Sequence, residues 1–116
     1  MIKSRYFTRG EFACQCGCGF DTVDAETLQV LEQVREEFGP VRVTSACRCP
    51  EHNAAVGGSP TSQHVRGRAC DIIVAGVNPD EVADFVEEIL VFTGGIGRYA
   101  TFTHIDTRFE RVRWKG

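Results

Sequence analysis

The chain has 116 residues, of which 42% are hydrophobic and 25% are charged, a composition typical of one globular domain. Its formal charge of −3 offers no broad basic surface, and no run approaches the roughly 18 apolar residues of a membrane span. We therefore expect one domain over residues 1–116, monomeric, with no nucleic-acid partner and no membrane insertion.

The first predicted element is an amphipathic helix. From Asp24 onwards, apolar residues recur at helical spacing until the Gly-Pro pair at 39–40 ends the pattern; they are Leu28, Leu31, Val34 and Phe38. The alternating, β-branched segment 41–45 then predicts a strand. Pro50 can begin a short helix that the glycines at 57–58 end.

The second half of the chain predicts one helix and several strands. The segment 71–76, DIIVAG, predicts a strand buried on both faces. Asn78 as N-cap and Pro79 at the first helical position begin a helix with an apolar stripe of Val82, Phe85, Val86, Ile89 and Leu90. Short strands follow in IGRY, FTHID and RVRW. The predicted fold is a small α+β domain with two main helices on one face of a mostly antiparallel sheet.

Three histidines are candidates for chemistry. His52 lies in a short polar helix, and we interpret it as a surface residue. In FTHID, strand alternation directs Phe102, His104 and Asp106 to one face, with His104 and Asp106 about 6 to 7 Å apart at the backbone. The third, His64, lies in a polar loop before the DIIVAG strand.

Asp71 needs a partner, because burying a lone carboxylate beside an apolar strand costs several kcal/mol. Arg66 or Arg68 could provide a salt bridge. Alternatively, His64, Asp71 and His104 supply the two imidazoles and one carboxylate that a catalytic zinc ion binds while its fourth position holds water. The residues by themselves leave both interpretations open.

Six cysteines are many for this length, and five of them form two short clusters: Cys14, Cys16 and Cys18 in CQCGC, and Cys47 and Cys49 in ACRCP. In an oxidising compartment they predict disulfides, whereas in a reducing one they predict a structural metal or free thiols. Cys70, in a strand-like segment, is interpreted as a simple buried thiol. We expect the two clusters to pack together beside Arg48, joined by a cross-link or a metal.

Three segments resemble one known family. The pattern S-x-H-x-x-G-x-A-x-D, formed by Ser62, His64, Gly67, Ala69 and Asp71, resembles the signature of the zinc D-alanyl-D-alanine carboxypeptidase family. TSACRCPEHNAAVGG and GGIGRYATFTHIDTR with RVRW resemble two further family segments, in the family's order over about residues 44–114. The family includes phage and bacterial peptidoglycan peptidases and the related hedgehog signalling domain.

This resemblance implies a zinc peptidase with its site in a surface cleft, acting on peptidoglycan stem peptides that contain D-amino acids. Arg48 would meet a carboxylate or carbonyl oxygen of the substrate, while Ser62 and Gln63 would line the cleft. A carboxylate would accept the proton of a zinc-bound water. The implied zinc ligands are His64, Asp71 and His104.

The chain departs from the family pattern at the proton acceptor. Thr101 and Phe102 occupy the usual positions of the catalytic acid, and neither can move a proton. Asp106 is therefore predicted to be either the general base or the partner that orients His104. The alternatives are a non-catalytic zinc domain that acts in binding, as in hedgehog, and a metal-free scaffold in which an arginine pairs with Asp71.

The N-terminal segment MIKSRYFTRGEF lacks the apolar stretch of a secretory signal peptide. We expect synthesis in the cytoplasm. A cell-wall peptidase of this kind would then reach its substrate through a holin or on a virion.

Overall fold

The computed structural model describes residues 6–7, 9–16, 24–46, 48–58 and 62–116. In this part of the chain a short 3₁₀ turn, Arg9–Phe12, precedes three helices: α1 (Ala25–Phe38), α2 (Pro50–Ala55) and α3 (Pro79–Ile89). The strands are β1 (Val41–Ser45), β2 (Ala69–Val74), β3 (Gly95–Arg98), β4 (Thr103–Asp106) and β5 (Val112–Lys115). None of the helices described here has the length and apolar character needed to cross a membrane.

The five strands form one mixed sheet in the order β1-β2-β4-β3-β5. Every neighbouring pair is antiparallel except β3 and β5, which run parallel. Helices α1 and α3 contact each other and pack against the sheet. This architecture confirms the predicted α+β fold with two main helices on a mostly antiparallel sheet.

Both main helices begin and end where the sequence predicts. Asp24 occupies the N-cap of α1, and Gly39 ends that helix with a φ of 100°, a conformation that favours glycine. The Asn78 side chain accepts a hydrogen bond of 2.9 Å from the backbone N–H of Asp80 and caps α3. The apolar stripes of the two helices then bury their side chains in one core, which includes Leu28, Leu31, Val34, Val82 and Val86.

Strand β2 differs from its prediction in burial. Cys70, Ile72 and Val74 belong to the core, which confirms Cys70 as a buried thiol. Ile73 and the side chain of Asp71, on the opposite face, keep part of their surface exposed, so the expected burial on both faces is only partly met. The physical reason is that α1 and α3 cover one face of the sheet, while the other face carries a polar cleft.

Candidate metal centre

One row of residues crosses the whole sheet on the face opposite the main helices. Ser45 pairs with Asp71, Asp71 with His104, His104 with Gly97, and Gly97 with Trp114. Side chains that pair across neighbouring strands lie on the same face of a sheet. The register therefore brings Asp71 and His104 together although 32 residues separate them in the chain.

His64 reaches the same point from the turn before β2. Its backbone N–H donates to Ser62 Oγ at 3.2 Å, and Gly67 completes the turn with a φ of 69°. Its Nδ1 lies 2.6 Å from the carbonyl oxygen of Ala46. Because a carbonyl only accepts hydrogen bonds, Nδ1 must carry the proton, which leaves Nε2 to act as an acceptor or a metal ligand.

The donor atoms of His64, Asp71 and His104 all lie within 4.8 Å of one another. Nδ1 of His104 lies 2.9 Å from Oδ1 of Asp71, and Nε2 of His64 lies 3.4 Å from the same oxygen. Asp71 thus contacts two imidazoles and, within the described residues, forms no ion pair with Arg66 or Arg68. Two imidazoles and a carboxylate that converge on one point fit a catalytic zinc ion.

The electrostatics of this cluster favour a cation. Burial by itself would raise the pKa of Asp71. Hydrogen bonds from His104 and His64 outweigh burial and lower this pKa from 3.8 to about 2. Burial lowers the pKa of His104, while its hydrogen bonds to Asp106 and Asp71 raise it above the ordinary value. Without metal, the cluster therefore holds a proton that a bound metal ion must displace.

Asp106 is completely enclosed, with no exposed surface. Its Oδ2 lies 2.8 Å from Nε2 of His104, and its Oδ1 accepts the backbone N–H of Gly95 at 2.9 Å. Arg108 donates to both oxygens, at 2.8 and 2.7 Å. Burial opposes ionisation, but the hydrogen bonds from His104 and Arg108 hold the pKa of Asp106 well below its usual range. The carboxylate is therefore ionised and fully hydrogen-bonded beside His104.

Two glycines of β3 make room for these side chains. A Cβ on Gly95 would lie 2.2 Å from the carboxylate of Asp106, and a Cβ on Gly97 would lie 2.6 Å from the indole of Trp114. Both distances are far shorter than van der Waals contact. The G-x-G of GIGR therefore leaves space over the sheet for the Asp106 carboxylate and for Trp114, whose ring lies 4.9 Å from that of His104.

A cleft of about 390 Å³ opens over the metal donors. Its lining includes the predicted substrate-binding residues Arg48, Ser62 and Gln63, but not Asp106. Strand alternation had directed Phe102 to the face of His104, but the sequence did not assign it or six other lining residues to the cleft, which are Val56, Gly57, Gly58, Tyr99, Arg108 and Trp114. Alternation in GIGR and RVRW identifies residues that share a face, but only the pairing of β3 with β5 brings the tryptophan to the cleft.

Arg48 and Gln63 each keep an unused hydrogen-bonding atom in the cleft that holds the candidate metal ligands. The backbone N–H of Arg48 donates to the carbonyl of His64 at 3.0 Å, and Nη1 donates to Asn53 Oδ1 at 3.2 Å. Arg48 Nε and Gln63 Oε1 are buried and have no hydrogen-bond partner among the residues described. A ligand with both an acceptor and a donor group would satisfy these two atoms.

The cysteine clusters also meet, as expected. Cys14 and Cys16 lie beside Cys49, next to Arg48, with sulfur separations between 3.4 and 3.8 Å. Cys18 and Cys47 lie outside the described residues.

Comparison with known proteins agrees with this geometry. The model of the peptidase M15 family matches residues 5–106, a span that contains His64, Asp71 and His104. A search of curated protein sequences found no match. The family match confirms the resemblance to zinc D-alanyl-D-alanine carboxypeptidases. The chain therefore belongs to the peptidase M15 family of zinc-dependent metallopeptidases.

Proposed function

We propose that this protein hydrolyses D-amino-acid-containing peptide bonds of bacterial peptidoglycan, as a D-Ala-D-Ala carboxypeptidase or a stem-peptide endopeptidase. The observation that carries the proposal is the shared cleft of His64, Asp71, His104 and Arg48. The proposed substrate implies action at the cell wall. We further propose that the protein acts as a monomer and reaches the cell wall from the cytoplasm through a holin or on a virion.

The cleft is suited to a peptide with a free carboxylate. Arg48 supplies a permanent positive charge and an unused Nε–H, which fit a carboxylate or a polarised carbonyl oxygen. Gln63 Oε1 is an unused acceptor that fits a peptide N–H. The hydroxyl of Ser62 is engaged by the backbone of His64, so its main contribution is to hold the histidine turn.

Zinc held by His64, Asp71 and His104 would act as a Lewis acid on the scissile carbonyl and would lower the pKa of a bound water to about 7, so that the water loses its proton to solvent near neutral pH. Arg48 either holds a terminal carboxylate of the substrate or stabilises the negative charge that develops on the scissile carbonyl oxygen during attack. The stacked rings of Tyr99 and Phe102, with centroids 4.2 Å apart, form an apolar wall of the cleft that helps to exclude bulk water.

Of the two predicted roles of Asp106, we propose that of positioning residue for His104. Its carboxylate contacts the imidazole nitrogen that faces away from Asp71, the arrangement by which carboxylates orient metal-binding histidines. The hydrogen bonds from Gly95 and Arg108 occupy its oxygens and support this role over that of a general base.

One observation favours a second candidate function, a non-catalytic zinc domain that binds cell-wall peptides. Asp71 is the only carboxylate among the described residues that line the cleft, and it is a proposed zinc ligand. Thr101 and Phe102, at the usual acid positions, cannot accept a proton from water. The two candidates share their metal and their ligand and differ in turnover.

Digestion of purified muropeptides by the zinc-loaded protein, followed by mass spectrometry, decides between them. The peptidase proposal expects release of D-alanine or cleavage within the stem, and loss of that activity in His64→Ala. His52→Ala is the matched control, because His52 lies in α2 outside the cleft lining. Binding of muropeptides without any cleavage product would overturn the peptidase proposal and support the binding domain.

A further inference from the structure

A second group of potential metal donors lies apart from the candidate metal centre and shares no residue with it. The sulfur atoms of Cys14 and Cys16 lie 3.4 Å apart, those of Cys16 and Cys49 3.6 Å, and those of Cys14 and Cys49 3.8 Å. Cys14 is buried, Cys49 is half buried and Cys16 is exposed. Three thiols thus form a nearly equilateral triangle at the protein surface.

This triangle matches a metal site better than a disulfide. A disulfide joins two sulfurs at about 2.05 Å and would exclude the third cysteine. Tetrahedral zinc with bonds of about 2.3 Å holds its thiolates about 3.8 Å from one another, close to all three observed separations. The three sulfur–sulfur distances are nearly equal, as expected when three cysteines bind one metal ion.

Backbone groups support the triangle. The N–H of Cys49 donates to Sγ of Cys14, and the N–H of His52 donates to Sγ of Cys49, both at 3.4 Å. Amide hydrogen bonds to sulfur stabilise thiolate ligands and orient them toward the metal. The side-chain amide of Gln15, between two of the cysteines, donates to the carbonyl of Thr44 in β1. This contact attaches the cysteine segment to the sheet.

We propose that Cys14, Cys16 and Cys49 bind a second, structural zinc ion. Binding releases the three thiol protons to solvent, and the fourth coordination position takes a further donor. The ion joins the N-terminal segment to the residue that follows Arg48, and the backbone of Arg48 is hydrogen-bonded to that of His64 at 3.0 Å. The second zinc ion therefore stabilises the side of the cleft that carries Arg48.

Metal analysis and cobalt substitution of the full chain test the proposal. We expect two zinc ions per chain, and one in His64→Ala. Cobalt-loaded His64→Ala should still show the intense thiolate-to-cobalt charge-transfer band. Cys14→Ser/Cys49→Ser should lose one zinc ion and this band while its His64 site still binds metal. Cys70→Ala is the matched control, because Cys70 is a core cysteine that belongs to neither group of metal donors, and it should keep both metals.

Cys16→Ser covers the case in which the double variant does not fold, since Cys16 is exposed. Its zinc affinity at the second site should fall at least tenfold, with an unchanged circular dichroism spectrum. A disulfide between any two of the three cysteines in the purified native protein would overturn the proposal. So would a cobalt-loaded His64→Ala protein without a thiolate band, whichever variants fold.

Discussion

Nε2 of His104 lies 2.8 Å from Oδ2 of Asp106, on the opposite edge of the ring from Nδ1, which lies 2.9 Å from Asp71. Because an ionised carboxylate only accepts hydrogen bonds, the contact with Asp106 holds the proton on Nε2. Nδ1 is then the nitrogen that a metal ion can bind. The strand alternation that directs both side chains to one face therefore also selects the tautomer that neutral His104 adopts when a metal ion displaces the proton on Nδ1.

Replacement of Asp106 by asparagine should weaken zinc binding. The amide removes the charge that holds the proton on Nε2, and loss of such a partner commonly costs tenfold to a hundredfold in metal affinity. The metal-free protein should also lose about 1 to 3 kcal/mol of stability, because the enclosed side chain at position 106 no longer carries the charge that accepts hydrogen bonds from Arg108 and His104. Competition with a chelator and urea denaturation measure the two effects.

Asp84→Asn is the matched control for that experiment. Asp84 also pairs with an arginine, Arg98, at 2.8 Å, but it is exposed on α3. Exposed pairs contribute about 1 kcal/mol or less, so this variant should keep its zinc affinity and nearly all its stability. Equal zinc affinities for both variants would remove the positioning role from Asp106.

Gly95→Ala and Gly97→Ala should each destabilise the protein by about 1 to 3 kcal/mol, the usual cost of forcing an extra group into a packed site. At Gly95 the new methyl group would displace the Asp106 carboxylate, and at Gly97 the Trp114 indole. Gly10→Ala is the matched control, since a Cβ there meets no atom within 4 Å. Thermal denaturation of the three variants checks this, and unchanged melting of Gly95→Ala would contradict the packing described.

Arg48→Lys should discriminate between carboxylate and carbonyl recognition. Lysine keeps the charge but loses the planar fork, so kcat/KM on a stem peptide with a free C-terminus should fall tenfold to a hundredfold, or about 1.4 to 2.8 kcal/mol. With a C-terminally amidated peptide the loss should be smaller if Arg48 binds the terminal carboxylate. Steady-state kinetics on the two peptides provide the measurement, and equal losses would instead assign Arg48 to the scissile carbonyl.

The metal-free protein should be most stable in mildly acidic solution. The pKa of His104 is higher in the folded state than in the unfolded state. Protonated His104 therefore adds to the free energy of unfolding below about pH 6.5, and this addition is lost as the pH rises through the pKa of the folded state. The pKa of Asp71 is lowered to about 2. Ionised Asp71 therefore adds to the free energy of unfolding above pH 3.8, and this addition is lost as the pH falls toward 2. Urea denaturation in excess chelator should therefore give a higher unfolding free energy at about pH 5.5 than at about pH 9.

The stabilisation that zinc adds should depend on pH in the opposite direction. A metal ion competes with the proton of His104, so the stabilisation that zinc adds should increase from about pH 5.5 to about pH 7.5. His64→Ala, which lacks one donor, should show a much smaller zinc effect at both values. A metal-free protein whose stability is the same in acid and in alkali would contradict the charge arrangement of His104, Asp71 and Asp106.

Local signals in the sequence determined the helices and the kinds of metal donor. The Asn78 cap, the Gly39 stop and the apolar stripes depend on neighbouring residues, and short-range physics decides them without the rest of the fold. The S-x-H-x-x-G-x-A-x-D pattern predicted His64 and Asp71 as zinc ligands through its resemblance to the family signature.

Tertiary structure decided what each donor contacts. The pairing register of β2, β4, β3 and β5 brings Asp71, His104 and Trp114 into one row, and strands distant in the chain pair through contacts that no local pattern encodes. Tertiary contacts also enclose Asp106, whose carboxylate accepts hydrogen bonds from Gly95 and Arg108. They likewise bring Cys14 next to Cys49, 35 positions later in the chain. The sequence by itself determined which chemical groups are present, while packing decided their partners, their charge and their access to a ligand.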